Sequence, residues 1–277
     1  MEFALGREAE QAGYRLKAFS EIGSTNAEAL DAARGGDAGR AWFVTAHQTA
    51  GRGRRGRAWA TPPGNLAASL LLVGSFEPSA AASLGFVAGL ALDDALRSVA
   101  PSLAFRIAVD GVEGGGAGGA DRLRLKWPND VLLDGAKLAG ILLEGEALAE
   151  SRFAVAIGIG VNVAHAPTGL PYPATALRAL GSTVDAPTLL SALADAWAGL
   201  ERVWAGGHGF AAIRRLWLER AAGIGERVAV RLGGDLVSGC FETIDDTGRL
   251  VVLMADGSRR SIASGEVHFG AVATVRA

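Results

Sequence analysis

The chain has 277 residues, of which 49% are hydrophobic and 20% are charged, and its formal net charge is -2 at pH 7. A chain of this length can bury a full hydrophobic core, so we expect one large domain and a small one. The near-neutral charge balance argues against a general nucleic-acid coat protein. The single cysteine, Cys240, excludes an internal disulfide framework and is typical of a reducing cytosol.

No stretch of the sequence has the pattern of a targeting segment or of a structural zinc site. Residues 1–13 carry three glutamates and no apolar core, unlike a signal peptide. The longest apolar run, residues 80–92, is about half as long as a bilayer-spanning helix. The four histidines are not spaced as metal ligands, which argues against structural zinc. We expect a soluble, cytoplasmic protein without a membrane partner.

The first part of the chain predicts strands that alternate with helices. Apolar patterning predicts strands at residues 14–19, 41–46 and 66–73. Ser79 is the expected cap of a long apolar helix that ends near Val99 and forms the centre of the large domain.

Ser24, Thr25 and Asn26 precede a predicted helix. Thr25 and Glu28 fit a reciprocal capping box, and two glycines follow the end of the helix. A helix N-terminus is also a ready anion site. The three residues are therefore either a helix cap alone or part of a ligand site.

The second half of the chain predicts hairpins, two helices and then short strands. The predicted strands cover residues 123–127, 137–144 and 153–163, with a hairpin turn at Asp134-Gly135. Hairpins make the sheet mostly antiparallel, so the fold class is α+β. A glycine-rich tract at residues 110–121 is interpreted as an insertion or hairpin tip without a function of its own. Helices are predicted at residues 187–204 and 209–222.

After residue 222 the pattern changes to short strands joined by tight turns. Strands are predicted at residues 227–232, 236–244, 250–254 and 259–263, with turns at 233–234, 245–248 and 256–257. This pattern is typical of a small β-barrel. We therefore predict two domains, residues 1–222 and 223–277.

Residues 51–57, Gly-Arg-Gly-Arg-Arg-Gly-Arg, form a segment that we call the arginine loop. Residues 51–56 satisfy the G-x-G-x-x-G pattern, but no helix pattern opens after the third glycine. The spacing also mimics a Walker A loop, yet Arg57-Ala58 stands where Lys-Ser/Thr is required. A solvated surface loop is the remaining structural interpretation.

The energetics of the arginine loop favour a ligand. Ordering seven residues costs roughly 1–2 kcal/mol each in backbone entropy, and four neighbouring arginines repel one another. We expect the loop to be mobile when empty and to close as a lid over an anion with several oxygens.

Lys126 is the second basic element of the sequence. It ends a predicted strand, which suits a positioning role at a reacting centre. Asn129 and Asp130 follow closely and supply oxygens of the kind that Mg²⁺ prefers. With the arginine loop, these residues indicate a carboxylate or phosphate that reacts under the shielding of cations.

Five segments then combine into a specific pattern: Ser24-Thr25-Asn26, Gln48 to Trp59, Lys126-Trp127-Pro128-Asn129-Asp130, residues 137–142 (KLAGIL) and residues 158–163 (GIGVNV). In this order they closely resemble the biotin–protein ligases, and the resemblance covers nearly the whole chain. It implies a class II synthetase-like catalytic domain and a C-terminal SH3-like β-barrel.

The resemblance also implies a two-step reaction. The carboxylate of biotin attacks the α-phosphorus of Mg-ATP to give biotinyl-5′-AMP and pyrophosphate. A lysine of a biotin carboxyl carrier domain then takes the biotinyl group. Lys126 and Arg54 would be catalytic, because they would shield the carboxylate and α-phosphate as charge develops.

The family pattern assigns binding residues by position. Residues that would surround biotin are Ser24, Thr25, Asn26, Gln48, Gly51, Arg52, Gly53, Arg54, Lys126, Leu138 and Gly140, with Ala139 beside them. Residues that would hold ATP are Arg54, Arg55, Arg57, Trp59, Asn129, Asp130, Lys137 and Asn162. Trp59 would flank adenine, and Asp130 would be a ligand of Mg²⁺.

Several features depart from the family pattern. His47 stands where the family often has Glu, and the turn after Pro63 looks one residue short. Residues 265–270 lack the arginine that some members lend to ATP. Only about twenty residues precede Ser24, so we expect the monofunctional form without a DNA-binding domain and no DNA partner. The sequence does not decide whether the chain forms a homodimer.

Two other functions stay open. Lipoate–protein ligases and octanoyltransferases share the fold and load a carrier lysine, but they lack this arginine loop. A nucleic-acid-binding module could use the loop as a phosphate grip, yet the near-neutral charge and the lack of interleaved aromatics disfavour it.

Overall fold

The computed structural model describes residues 2–104, 122–232 and 235–269, and it contains two sheets. The larger sheet has the spatial order β1-β2-β3-β7-β6-β5-β4 and comprises β1 Arg15–Phe19, β2 Ala41–Thr45, β3 Leu66–Gly74, β4 Leu123–Lys126, β5 Asp130–Leu133, β6 Ala136–Ala147 and β7 Phe153–Val161. The glycine-rich tract at residues 110–121 lies outside the described residues.

The large sheet is mostly antiparallel, as predicted. Strands β1 and β2 pair in parallel, while β2–β3, β3–β7, β7–β6, β6–β5 and β5–β4 are antiparallel. The predicted hairpin turn between β5 and β6 is confirmed. Asp134 and Gly135 both have positive φ, 51° and 78°, which is the geometry that a two-residue hairpin needs.

Six α-helices lie among the described residues: α1 Arg7–Gln11, α2 Thr25–Arg34, α3 Pro78–Val99, α4 Pro101–Ala104, α5 Ala186–Trp204 and α6 Phe210–Glu219. Helix α3 is long and apolar enough to cross a membrane, but 72% of its most apolar window is buried inside the protein. It packs against α5, α6 and the sheet, so it is the central core helix that the sequence predicts.

Two predicted helix caps are wrong by one or two residues. Helix α2 is capped by Ser24, whose Oγ accepts a hydrogen bond from Ala27 N at 3.4 Å; Thr25 is already helical. Helix α3 begins at Pro78 after Glu77, ahead of Ser79. Proline has its φ preset for the first helical turn and has no N–H to satisfy there, so it starts the helix without a side-chain cap.

The smaller sheet has the order β11-β10-β9-β8-β12 and comprises β8 Arg227–Leu232, β9 Asp235–Ile244, β10 Leu250–Leu253, β11 Arg259–Ile262 and β12 Glu266–Phe269. The four predicted strands are confirmed, whereas β12 was not predicted because its four residues carry too short an alternation. The predicted turn at Gly233-Gly234 lies outside the described residues.

The smaller sheet packs directly on the large domain. Trp127 Nε1 donates a hydrogen bond to Gly248 O at 3.0 Å, and Arg214 Nε donates one to Ile244 O at 2.6 Å. Phe86 of α3 packs against Gly248, where an added Cβ would meet the ring at 2.7 Å. These contacts place the turn after β9 beside the segment that follows Lys126.

A buried ion cluster ties α3 to the strand that ends at Lys126. The side chain of Asp93 is fully buried and lies 2.7 Å from Arg97 Nε and 3.0 Å from Arg220 Nη1. Burial raises the pKa of Asp93, while the two arginines favour its ionised form. The backbone of Arg220 accepts a hydrogen bond from Leu125 N at 2.9 Å. Through Arg220, the cluster therefore helps to fix the position of β4.

Candidate active site

A cavity of about 520 Å³ opens between the large sheet and strand β12 of the smaller one. The arginine loop, the turn between β4 and β5, and strands β6 and β7 form its other walls. Of the residues predicted to bind biotin or ATP, those that line it are Ser24, Thr25, Asn26, Gln48, Arg52, Gly53, Arg54, Arg55, Arg57, Trp59, Lys126, Asn129, Asp130, Lys137 and Gly140. Segments far apart in sequence therefore meet at one site.

The arginine loop has a defined backbone in this structure. Its centre, Arg54–Gly56, is a short 3₁₀ turn in which Arg55 has a φ of 58°. Gly53 N donates a hydrogen bond to Arg57 O at 2.7 Å, and Trp59 N donates one to Gly51 O at 2.9 Å. These bonds close the loop at its base.

Three of the four loop arginines face carboxylates from other parts of the chain. Arg52 lies 3.3 Å from Glu144, and Arg57 forms two hydrogen bonds with Glu266, at 3.0 and 3.2 Å. Arg55 lies 3.9 Å from the same Glu266 carboxylate. The mutual repulsion expected from the local sequence is thus offset by acids on β6 and β12, and whether the empty loop moves stays a prediction.

Arg54 differs from its neighbours in its partners. Its Nη1 donates a hydrogen bond to Asn129 Oδ1 at 3.0 Å, and its Nη2 donates one to Gly265 O at 3.4 Å. Both acceptors are neutral, and burial lowers the pKa of Arg54. No salt bridge to Arg54 occurs among the described residues.

Lys126 is the second cation in the cavity that lacks a salt bridge within the described part of the chain. Its Nζ lies 5.4 Å from the centre of the Phe269 ring. Burial lowers the pKa of Lys126, whereas the charge of Asp130 acts in the opposite direction. Two partly desolvated cations that lack ion-pair partners form a favourable site for a ligand anion.

A polar wall formed by Thr25, Asn26 and Gln48 also lines the cavity. Thr25 N donates a hydrogen bond to Gln48 Oε1 at 2.9 Å. Ser69 Oγ lies 2.7 Å from Thr25 Oγ1 and 2.6 Å from Asn26 Oδ1. Asn26 Nδ2 donates a hydrogen bond to Glu144 Oε2 at 2.8 Å. Hydrogen bonds therefore fix the polar groups of this region relative to one another.

Trp59 packs on a surface of glycines. An added Cβ at Gly140 would meet the Trp59 ring at 3.1 Å, and one at Gly160 would overlap the indole. Lys137 Nζ lies 5.4 Å from the Trp59 ring and 5.7 Å from the ring of Tyr172. Because Gly140 on β6 and Gly160 on β7 have no side chains, there is space beside these strands for the indole.

The side chains near Asp130 are compatible with a magnesium ion that is held mainly by phosphates. Asp130 Oδ1 forms an ion pair with Lys137 Nζ at 2.7 Å. No group of three or more His, Cys, Asp or Glu side chains suited to a metal occurs in residues 2–104, 122–232 and 235–269. Mg²⁺ often takes one or two protein carboxylates and completes its shell with phosphate and water, which one aspartate can serve.

Comparisons with known proteins identify the family of this chain. The model of the "Biotin/lipoate A/B protein ligase family" matches residues 35–162, and that of the "Biotin protein ligase C terminal domain" matches residues 223–270. A "Biotin--[acetyl-CoA-carboxylase] ligase" of Paracoccus denitrificans is 44% identical over 253 residues, which cover 89% of this chain and 97% of the relative. The chain belongs to the biotin protein ligase family.

Other members of the biotin protein ligase family match over most of their length. A ligase of the same name from Mycobacterium tuberculosis is 38% identical over 92% of this chain and 89% of its own. The structure of the "Biotin protein ligase from Aquifex aeolicus in complex with biotin and ATP" has a TM-score of 0.71 at 25% identity, covering 92% of this chain and 98% of the other. The predicted family and fold are thereby confirmed.

Four residues that the family pattern assigns to binding do not line the cavity, and one of them, Ala139, is fully buried in the hydrophobic core. Leu138 is fully buried in the hydrophobic core. Asn162 is also buried, and its Nδ2 donates a hydrogen bond to Thr175 O at 3.1 Å. At Gly51 an added Cβ would overlap the Gln48 side chain and the Trp59 carbonyl. Each of these residues supports the walls of the cavity from behind.

Among the residues that line or support the cavity but were not predicted from the sequence are Ser69, Glu144, Tyr172, Glu266 and Phe269. Ser69 is the one polar residue of β3, and its side chain is fully buried there. A lone hydroxyl inside an apolar strand signals a buried polar contact. The other four carry no local signal, because each meets the site only through folding.

Proposed function

We propose that this chain attaches biotin to a lysine of a biotin carboxyl carrier domain, with ATP as the energy source and biotinyl-5′-AMP as the intermediate. The observation that carries the proposal is the pair of cations, Arg54 and Lys126, that line one cavity in a chain of this family and form no salt bridge within residues 2–104, 122–232 and 235–269. The first step joins two anions, and such cations lower the repulsion between them.

In the first step a carboxylate oxygen of biotin attacks the α-phosphorus of ATP. The bond from that phosphorus to the bridging oxygen breaks, and pyrophosphate leaves. Lys126, on the rigid end of β4, is suited to contact the reacting carboxylate and α-phosphate. Arg54, in the arginine loop, shares this role. Its present hydrogen-bond acceptors are neutral, and a hydrogen bond to a charged phosphate oxygen is stronger.

In the second step the amine of the acceptor lysine attacks the acyl carbon of the adenylate. The amine loses a proton, the acyl–phosphate bond breaks and AMP leaves. The mixed anhydride hydrolyses readily in water, so its lifetime depends on how well the site excludes solvent. The arginine loop is suited to this task because it covers one side of the cavity.

The cavity divides into two regions for the two substrates. The polar wall of Thr25, Asn26 and Gln48 is suited to the ureido ring of biotin, since it offers both donors and acceptors. Trp59 and Lys137 are suited to the adenine and the phosphates of ATP. When bound, Mg²⁺ would screen the charge of those phosphates, and Asp130 would be its protein ligand.

Four further expectations belong to the same proposal. The division into residues 1–222 and 223–277 is supported by the change to short strands at β8. A cytoplasmic location is supported by the single cysteine. The chain is expected to act on the carrier without a DNA or membrane partner. A homodimer stays open.

The proposal is tested by pyrophosphate exchange into ATP. Exchange is expected with biotin and is not expected with lipoate or octanoate in its place. Mass spectrometry of a biotin carboxyl carrier domain should then show one added biotinyl group, which disappears when the acceptor lysine is replaced by arginine. Equal exchange with lipoate would favour the alternative, a lipoate or octanoyl ligase of the same fold.

A further inference from the structure

Glu144 lies between the polar wall and the arginine loop. It lies in the second half of β6, and it lines the cavity. Its Oε2 accepts the hydrogen bond from Asn26 Nδ2 at 2.8 Å, while its Oε1 lies 3.3 Å from Arg52 Nη2. The two oxygens of one carboxylate thus hold two segments that are far apart in sequence.

The contacts of Glu144 belong to a longer chain of hydrogen bonds. From Asn26 the chain continues through Ser69 to Thr25, and Thr25 N donates to Gln48 Oε1. Gln48 precedes the arginine loop and Arg52 lies within it. The chain therefore links both ends of residues 48–52 to the wall that is suited to biotin.

We propose that Glu144 is a positioning residue that couples occupation of the polar wall to closure of the arginine loop. This inference rests on the proposed function of the site. A ligand that contacts Thr25 or Asn26 restrains the chain of hydrogen bonds, which lowers the entropy that is lost when Glu144 and Arg52 pair. The loop is then held over the adenylate for longer.

Because the Arg52–Glu144 pair is partly exposed, an experiment can distinguish the proposed coupling from a purely structural role. The side chains of Arg52 and Glu144 are 50% and 29% exposed, so their ion pair adds little to the stability of the fold. Removal of the charge should therefore change retention of the ligand while the thermal midpoint stays within about 2 °C of wild type.

The same strand offers a matched control. Glu146 lies two residues further along β6 and pairs with Arg34 of α2 at 2.9 Å. This is also an ion pair between a strand glutamate and an arginine, but neither residue lines the cavity. Glu146→Gln thus removes an equivalent charge at a distance from the site.

The experiment measures release of the adenylate from the full chain. The protein is loaded with biotin and ATP, excess biotin and ATP are removed, and the biotinyl-5′-AMP set free into solution is followed with time. Glu144→Gln and Arg52→Gln should each speed release about threefold, the order expected for loss of a half-exposed ion pair. The double variant should release no faster than either single variant, and Glu146→Gln should match wild type.

Three outcomes would overturn the inference: wild-type release from Glu144→Gln, equal acceleration by Glu146→Gln, or effects that multiply to about ninefold in the double variant. If the wild-type chain forms no adenylate, the proposed function fails instead. Hydrogen exchange of the unliganded chain still tests Glu144 in that event. Residues 51–57 should exchange faster in Glu144→Gln than in Glu146→Gln, and equal exchange would contradict the coupling.

Discussion

Arg57 and Glu266 form a two-pronged ion pair, with Nη1 3.0 Å from Oε1 and Nη2 3.2 Å from Oε2. Arg57 is the last residue of the arginine loop, and Glu266 is the first residue of β12. Paired hydrogen bonds of this kind fix both the distance and the orientation of the two groups. The smaller sheet therefore contributes directly to the conformation of the loop.

The Arg57–Glu266 pair predicts a pH dependence of loop order. Its hydrogen bonds hold the pKa of Glu266 below the ordinary value of about 4.5. A carboxylate with a lowered folded-state pKa stabilises the fold above its unfolded pKa, and the effect is lost as pH falls through the folded pKa. Glu266→Gln should thus raise loop hydrogen exchange over wild type at pH 7 and 5, and the difference should shrink below about pH 4.

Glu242→Gln is the control for this pH experiment. Glu242 pairs with Arg259 on the same sheet at 2.7 Å, and this pair likewise lowers the pKa of its carboxyl. It does not contact the arginine loop, so its removal should leave exchange of residues 51–57 unchanged at every pH. A Glu266→Gln effect that grows on acidification would contradict the prediction.

Replacement of Lys126 tests the proposed cation of the first step. Lys126→Ala should lower the rate of biotin-dependent pyrophosphate exchange by about 100-fold or more, because a half-buried charge that stabilises the reacting anions is lost. Lys126→Arg should recover part of the rate, and Lys17→Ala, at an exposed position on β1, should behave as wild type. Normal first-step turnover of Lys126→Ala would refute its role.

Replacement of Arg54 tests retention of the intermediate. Arg54→Ala should keep the fold, since its present partners are one amide and one carbonyl, and should release biotinyl-5′-AMP about tenfold faster. The measurement is the ratio of biotinyl-5′-AMP free in solution to biotinyl-5′-AMP bound to the protein. Arg259→Ala, which removes an exposed arginine from β11, serves as the control, and tight retention by Arg54→Ala would contradict the prediction.

A methyl group added at Gly160, which lines the cavity beside Trp59, tests the proposed role of Trp59 in ATP binding. The new Cβ in Gly160→Ala would overlap the indole of Trp59 and should displace it. We expect about tenfold weaker binding of ATP, from about 1–2 kcal/mol of overpacking, with biotin affinity changed less than threefold. Titration calorimetry of each substrate measures both.

Gly199→Ala is a suitable control for the glycine experiment. Gly199 lies in α5, and nothing would approach its added Cβ within 4 Å. Alanine there should stabilise the helix by about 0.5–1 kcal/mol and leave both affinities unchanged. Equal loss of biotin and ATP binding in Gly160→Ala would indicate general distortion instead of a local subsite.

Most helices and strands could be predicted from the sequence, because the patterns that specify them lie within a few neighbouring residues. The alternation in β1, the apolar run of α3 and the Asp-Gly turn between β5 and β6 depend on neighbouring residues alone. The cap of α2 was misplaced because Ser24 and Thr25 have equivalent side chains. Only the extended backbone of Ser24, with φ of -152°, shows which of them is the cap.

The sequence by itself determined the family, the order of the elements and most of the segments that line the cavity. The arginine loop and the segment after Lys126 are short, so the chemistry of their side chains can be inferred from the sequence alone. The tertiary structure decided how charges are shared within the site. Glu144 and Glu266 pair with Arg52, Arg55 and Arg57, whereas Arg54 and Lys126 form no salt bridge with the described residues. Electrostatic energy depends on distance and burial, and strands far apart in the chain set both of these quantities.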